Sequence, residues 1–184
     1  MTQKNVLSVS ITLPDNVSYN VDGNTITIEG PQGNVSKTLT DKRINIEGKE
    51  NITLVYPKNQ RKHKRLLYTN ASRVQNMVKG VTDKFEYTLK ICSGHFPMQV
   101  SYNNNTLTIK NFIGESVPRT LSIPEEVNLD LDGEDITLTS VDKEKAGQVA
   151  GQIENLCKRP GFDQRIFQDG IYITKKPQKQ TRQR

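Results

Sequence analysis

Two histidines, two cysteines and a scatter of carboxylates are the side chains from which this 184-residue chain would have to build a reactive site. His95 follows Cys92 by three residues, but no Glu stands at ligand or triad spacing. A hydrogen-bonded structural histidine at a strand start is therefore expected ahead of a Cys–His dyad. Two cysteines cannot supply a four-ligand metal site between them. Cys92 and Cys157 read as reduced, buried small side chains, with a single disulfide as the alternative. Asp163 and Asp169 lie near Arg165 and read as local ion pairing. Gly30-Pro31-Gln32-Gly33 lacks the Gly-Lys-Ser/Thr finish of a phosphate-cradling loop and reads as a turn. Neither an enzyme nor a metal or cofactor is expected.

The chemistry that remains is electrostatic. Lys and Arg number 26 against 20 Asp and Glu, for a formal charge of +6. The excess is concentrated in two runs. Lys58, Arg61, Lys62, Lys64 and Arg65 fall within eight residues with no acid between them. His63, inside the run, adds little charge at neutral pH. Lys175, Lys176, Lys179, Arg182 and Arg184 fall within the last ten. The rest of the chain is therefore net acidic. A basic run is commonly just a solvated face, but both runs carry a second feature. The first sits at or just before a helix start, where the helix dipole disfavours each cation by roughly a few tenths of a kcal/mol. A phosphate backbone would offset that by counterion release. The second lies beyond the last strand and contains Pro177 but no apolar residue, so it reads as a tail that orders on a polyanion. Gly147 and Gly151, four apart in a helical stretch, cost roughly 1 kcal/mol each relative to Ala. They mark a close approach, either of the helix to its own sheet or of an RNA backbone to the helix. Gln148 and Gln152 are spaced to donate to phosphate or ribose beside them.

The elements that must position these groups come twice. Val17–Leu39 (VSYNVDGNTITIEGPQGNVSKTL) aligns with Val100–Leu121 (VSYNNNTLTIKNFIGESVPRTL), and Ile52-Thr53-Leu54 aligns with Ile136-Thr137-Leu138. A period of roughly 80 residues is too long for a solenoid unit and fits a duplicated small domain. Alternation at Ile26/Ile28, Val35 to Leu39, Ile44/Ile46 and Ile52/Leu54 predicts short antiparallel strands. Asp22-Gly23, Gly30-Pro31 and Glu47-Gly48 punctuate them. Leu67, Ala71, Val74, Val78 and Val81 form one stripe of a helix over about 62–79, with Gly80 as its stop. A second helix is predicted over 143–158, facing inward with Ala146, Val149, Ala150, Ile153 and Leu156, capped by Asp142 and ended by Pro160-Gly161. The fold class is α+β: two tandem similar domains, each a short-stranded antiparallel sheet covered by one helix. The boundaries are 1–82, 83–174 and a basic tail, 175–184.

No run reaches the ~18 apolar residues of a membrane helix, and no basic start precedes an apolar stretch of ~7–15 residues as in a signal peptide. No membrane is expected. The Asn-x-Ser/Thr sites at Asn16, Asn34, Asn51, Asn70 and Asn104 then reflect only Asn and Thr richness.

Four stretches carry a resemblance: Val74–Thr82 (VQNMVKGVT), His95–Val100 (HFPMQV), Asn111–Glu115 (NFIGE) and Phe167–Tyr172 (FQDGIY). In this order, with the duplication, the chain resembles over nearly its whole length the universal sixth large-subunit ribosomal protein family, in its archaeal and eukaryotic branch. Its modest length favours an archaeal source. The resemblance implies two duplicated α+β domains in the cytoplasmic large ribosomal subunit. It implies binding to large-subunit ribosomal RNA near the factor-binding side and the sarcin–ricin hairpin. Neighbouring ribosomal proteins and translation factors would be further partners. It places most RNA contacts on the second domain and tail. Asp163-Gln164-Arg165 is less basic than the Lys-rich loop of bacterial relatives, which leaves charge to the tail. The RNA-binding residues expected are Gln148, Gln152, Arg159, Arg165, Tyr172, Lys175, Lys176, Lys179, Arg182 and Arg184. Tyr172 is either a core residue or a stacking one. Arg61, Lys62, Lys64 and Arg65 form a secondary RNA or protein contact. A free-standing RNA-binding module and a basic protein-interaction scaffold are the rival readings.

Overall fold

Ile26 and Ile28 alternate with threonines, and the two isoleucines are wholly buried. That alternation places one strand face toward a core and leaves the other wet. The same pattern recurs at Leu107/Ile109, Ile52/Leu54 and Ile136/Leu138, all eight side chains having no exposed surface. These pairs are the centres of four antiparallel sheets. The computed structural model describes residues 6–39, 41, 43–48, 51–57, 60–163 and 165–177. Lys58, Gln164, Lys179, Arg182 and Arg184 lie outside the described residues. The chain divides into two compact units, Met1–Lys84 and Phe85–Arg184.

The first unit contains β1 (Leu7–Thr12), β2 (Ser18–Asp22), β3 (Thr25–Gly30), β4 (Gly33–Thr38), β5 (Asn45–Glu47), β6 (Asn51–Tyr56) and α1 (Arg61–Thr82). Its sheets have the orders β2-β3-β4 and β1-β6-β5. Helix α1 packs on β1, β3, β4 and β6 and so covers both sheets. Leu67, Ala71, Val74, Val78 and Val81 are all buried, as the stripe requires. The helix continues through Gly80, which is itself buried, and ends at Thr82. Val78 and Val81 hold the last turn on the sheets, so the glycine is no stop. The free carbonyl of Val81 accepts from Gln32 N–H at 2.9 Å. Gly30 makes this approach feasible: a Cβ there would stand 2.9 Å from that carbonyl oxygen and 2.8 Å from Val81 Cγ2.

The second unit repeats the plan with β7 (Phe85–Cys92), β8 (Gln99–Asn103), β9 (Thr106–Lys110), a 3-10 turn (Phe112–Gly114), β10 (Arg119–Ser122), β11 (Asn128–Asp132), β12 (Asp135–Ser140), α2 (Lys143–Leu156) and β13 (Gly170–Lys175). Its sheets are β8-β9-β10 and β11-β12-β7-β13. Each half thus holds two sheets under one helix, not one: β4 and β5 belong to different sheets, and so do β10 and β11. Strand β7 takes the place of β1, and β13 adds a fourth strand on its outer edge. Asp142 caps α2 by accepting from Glu144 N–H at 2.9 Å. The helix ends at Leu156, before Lys158, because Cys157 already leaves helical geometry (φ −89, ψ 11). The last strand starts at Gly170, so the stretch from Phe167 is loop. It runs to Lys175, which therefore belongs to a strand and not to a free tail. Both cysteines are free thiols; Cys157 is buried, but Cys92, the last residue of β7, is only half-buried.

Leu138→Ala and its repeat counterpart Leu54→Ala should each cost about 2–5 kcal/mol in denaturant unfolding, as a buried Leu leaving a cavity does. Gly30→Ala should also destabilise the first unit measurably, by forcing the last turn of α1 off its sheet.

Candidate nucleic-acid interface

Two polar hubs, one half-buried and one buried, hold the segment from the end of α2 to the start of β13 in place of regular structure. The first is Arg119 on β10. It grips Glu115 through two bonds, Nε to Oε2 at 2.8 Å and Nη2 to Oε1 at 2.7 Å. Its Nη1 donates to the carbonyls of Leu156 and Lys158, the latter at 3.1 Å. The Leu156 carbonyl is one that a helix C-terminus leaves without a partner, so a side chain from the sheet caps α2 and also ties down Lys158, two residues beyond it. The guanidinium also lies 4.4 Å from the centre of the Phe112 ring. Its hydrogen bonds hold the Glu115 carboxyl below the usual range and raise Arg119 in turn.

The second hub is Asp169, whose side chain is 2% exposed. It accepts from the backbone N–H groups of Gly94 at 2.7 Å and His95 at 2.9 Å, and lies 2.7 Å from His95 Nδ1. Burial works against its charge, but these N–H donors and that of Phe96 outweigh it, and the carboxyl is held below its ordinary value. His95 is thus a structural histidine. Asp169 pairs with it and not with Arg165, because the buried end of the loop turns to the β7–β8 connection 74 residues away.

A ladder of rings joins the hubs. His95 packs on Phe167 (4.9 Å between centroids), and Phe167 meets Phe162 edge-on at 5.1 Å. Arg159 stacks over Phe162 at 4.5 Å, and its Nη1 is 3.5 Å from Glu115 Oε1. Ile113, whose carbonyl faces Arg159 Nη1 at 3.5 Å, is held at φ 48, ψ 43. A β-branched residue there costs roughly 1–2 kcal/mol, and such strain clusters where a surface must be shaped. Gly161 takes φ +87 just after Pro160, which turns the chain sharply. Phe162, Phe167, Tyr172, Arg159, Lys158 and Glu154 line a cavity of about 240 Å³ floored by Cys157 and Ile171. Burial pushes the Cys157 thiol up to about 11, so it stays protonated. Among the described residues no group of three or more His, Cys, Asp or Glu could hold a metal.

The structure brings Arg159 and Tyr172 to this one cavity and leaves Tyr172 38% exposed, so it is a surface ring and not a core residue. Its ring rests against Gly170, where a Cβ would lie 3.3 Å away. Gln148 and Gln152 are exposed on the outer face of α2. The two helix glycines separate: a Cβ at Gly147 would be 2.8 Å from Tyr87 Oη, whereas Gly151 has open space before it. Gly147 therefore serves helix–sheet packing, and Gly151 with its two neighbouring glutamines forms an open polar face. Arg165 sits on the loop, held by Asp163 through Nη2–Oδ2 at 2.9 Å. Lys175 pairs with Glu86 at 3.8 Å. Lys176 follows β13, exposed. Lys158, which the sequence pattern did not single out, is exposed and, like Lys176, has no ion pair among the described residues. Arg119, Asp169 and the phenylalanines were also missed as a group, since their partners are remote in sequence.

These features define a duplicated α+β protein whose second copy carries an aromatic and cationic surface. The profile of the ribosomal protein L6 family matches residues 13–84 and 96–170, one segment in each unit. A large ribosomal subunit protein uL6 from the archaeon Haloquadratum walsbyi is 39% identical over 174 residues, covering 92% of this chain and 96% of its own. The uL6 proteins of Methanosarcina mazei (39%, 91% and 96%) and Methanobrevibacter smithii (36%, 90% and 94%) are similar over the same extent. The chain belongs to the ribosomal protein L6 family, in its archaeal type.

Asp169→Asn should cost about 1–3 kcal/mol at pH 7, the scale for hydrogen bonds to a charged buried group. A carboxyl held below its unfolded value stabilises above that value and loses this as pH falls through the folded one. The difference between wild type and variant, measured by chemical unfolding, should therefore shrink below about pH 4.

Proposed function

We propose that this chain is a non-catalytic constituent of the cytoplasmic large ribosomal subunit. There it binds and braces large-subunit ribosomal RNA with the surface made by the outer face of α2, the loop after it and β13. The observation that carries the reading is the 39% identity across 92% of the chain to a protein named for that subunit. The geometry supports it independently. Lys158, Arg159 and a half-open Tyr172 line one cavity, Arg165 stands on the loop that leads into β13, Lys175 and Lys176 lie at the end of that strand, and Gln148, Gly151 and Gln152 offer donors and room for close backbone approach. Cations at such a surface position the RNA backbone and read little base sequence, and structured RNA is read mainly through shape and 2′-hydroxyls. Lys179, Arg182 and Arg184 extend the charge in the proposed interface. A location near the factor-binding side and the sarcin–ricin hairpin, with neighbouring ribosomal proteins and translation factors in reach, follows from the family resemblance.

Tagged protein should sediment with the large subunit and stay there through a high-salt wash; recovery at the top of the gradient would instead favour a free-standing RNA-binding module. With purified large-subunit ribosomal RNA, Lys158→Gln/Lys176→Gln should weaken binding and lower the log–log salt slope by about 0.9 per lost contact for duplex-like RNA. Truncation after Pro177 should lower it further. Unchanged slopes in both would remove these cations from the interface.

A further inference from the structure

The two copies of the fold treat the start of their helix in opposite ways. Helix α2 begins with a capping Asp142 and has Glu144 in its first turn. Helix α1 begins at Arg61, preceded by a Gln60 that makes no side-chain cap, and has no acid in its first turn. Instead Arg61, Lys62, Lys64 and Arg65 are there, all exposed. None of the four has an ion pair among the described residues, whereas Arg165, Lys175 and Arg159 on the second unit each lie against a carboxylate. Arg61, Lys64 and Arg65 share one helical stripe with Tyr68. Tyr68 is 41% exposed, and Lys64 Nζ lies 6.0 Å from its ring centre. The nearby hydroxyls of Thr69 and Ser72 are turned back onto the helix carbonyls of Arg65 and Tyr68.

The platform under this face is fixed. His63 is buried, and its ring stacks on Tyr56 at 4.4 Å. Tyr56 Oη in turn donates to Asp41 Oδ2 at 3.2 Å. The cations are therefore presented from an anchored helix and not from a loose loop.

We infer that the exposed basic face of α1, Arg61, Lys62, Lys64 and Arg65 with Tyr68, is a second RNA contact that takes an unpaired stretch of nucleotides. Four exposed cations, with no ion pair among the described residues, suit a run of phosphates. An exposed ring among them matches the open face of an unpaired base, which a paired helix does not offer. An acidic protein surface would meet the cations but give the ring nothing to stack on. The inference shares only its ligand class with the function proposed above, and the two fail separately.

The test uses the full chain and a labelled oligouridylate of about twelve nucleotides, within the span of a single-strand site. Neutralising all four cations to Gln should lower the log–log salt slope by up to about 3, at about 0.7 per phosphate for a single strand. Tyr68→Ala should weaken binding about tenfold or more, and Tyr68→Phe by less than about twofold, since stacking needs the ring and not the hydroxyl. Lys158→Gln/Lys176→Gln should leave the part of the binding that depends on α1 in place. All five positions are exposed, and an unchanged thermal transition confirms that each variant is folded. A four-fold neutralised variant with unaltered affinity and slope overturns the inference. So does one that keeps oligouridylate but loses binding to poly-L-glutamate, which assigns the face to an acidic protein.

Discussion

The carboxylate of Asp169 is almost out of contact with water, yet it remains charged because N–H groups of the β7–β8 connection point at it. The proposed interface depends on this. The segment between Leu156 and Gly170 has no helix or strand among its described residues. Its shape comes from Asp169 at one end, Arg119 at the other, and the rings of Phe167 and Phe162 between. Such a loop has little entropy left to lose on binding. Arg159, against Glu115 and the Phe162 ring, and Arg165, against Asp163, are held in place before any ligand arrives.

Duplication supplied the frame, and the differences between the copies supply the chemistry. Both units cover two small antiparallel sheets with one helix, because neither sheet can bury its apolar face alone. In the second unit a further strand, β13, pairs along the outer edge of β7, and the loop leading into it builds the cavity of about 240 Å³. In the first unit the helix start carries the exposed cations. Each specialisation sits at a helix end or a sheet edge, where the core places the weakest demands on residue type.

Much of the fold was legible in the residues. Alternation at Ile26/Ile28 and Leu107/Ile109, and the stripe Leu67–Val81, are periodicities that burial imposes directly. Asp142 was readable as a cap because capping is a local interaction. The division of each half into two sheets was not legible, since no local pattern says which strand pairs with which. Gly80 was misread because a glycine at a helix end and a glycine buried under the last turn look alike in sequence. The charges of the proposed interface could be read from the residues, whereas the contacts that support its loop could not. The glutamines could be named from their spacing, and Arg159 and Tyr172 through the family resemblance. The contacts that hold the loop, Arg119 with Leu156 and Asp169 with His95, join residues far apart in the chain. Lys158 was overlooked because nothing in sequence distinguishes an unpaired cation from the paired Arg165 and Lys175.

The central claim is that the loop side of the second unit lies against ribosomal RNA in the assembled particle. Cross-linking of purified large subunits, read residue by residue on this protein, tests it most directly. The account predicts RNA adducts on Lys158, Arg159, Tyr172 and Lys176. A complete particle in which Lys158, Tyr172 and Lys176 react freely with water-soluble amine- or phenol-directed reagents, and none of the four carries an RNA adduct, would contradict it.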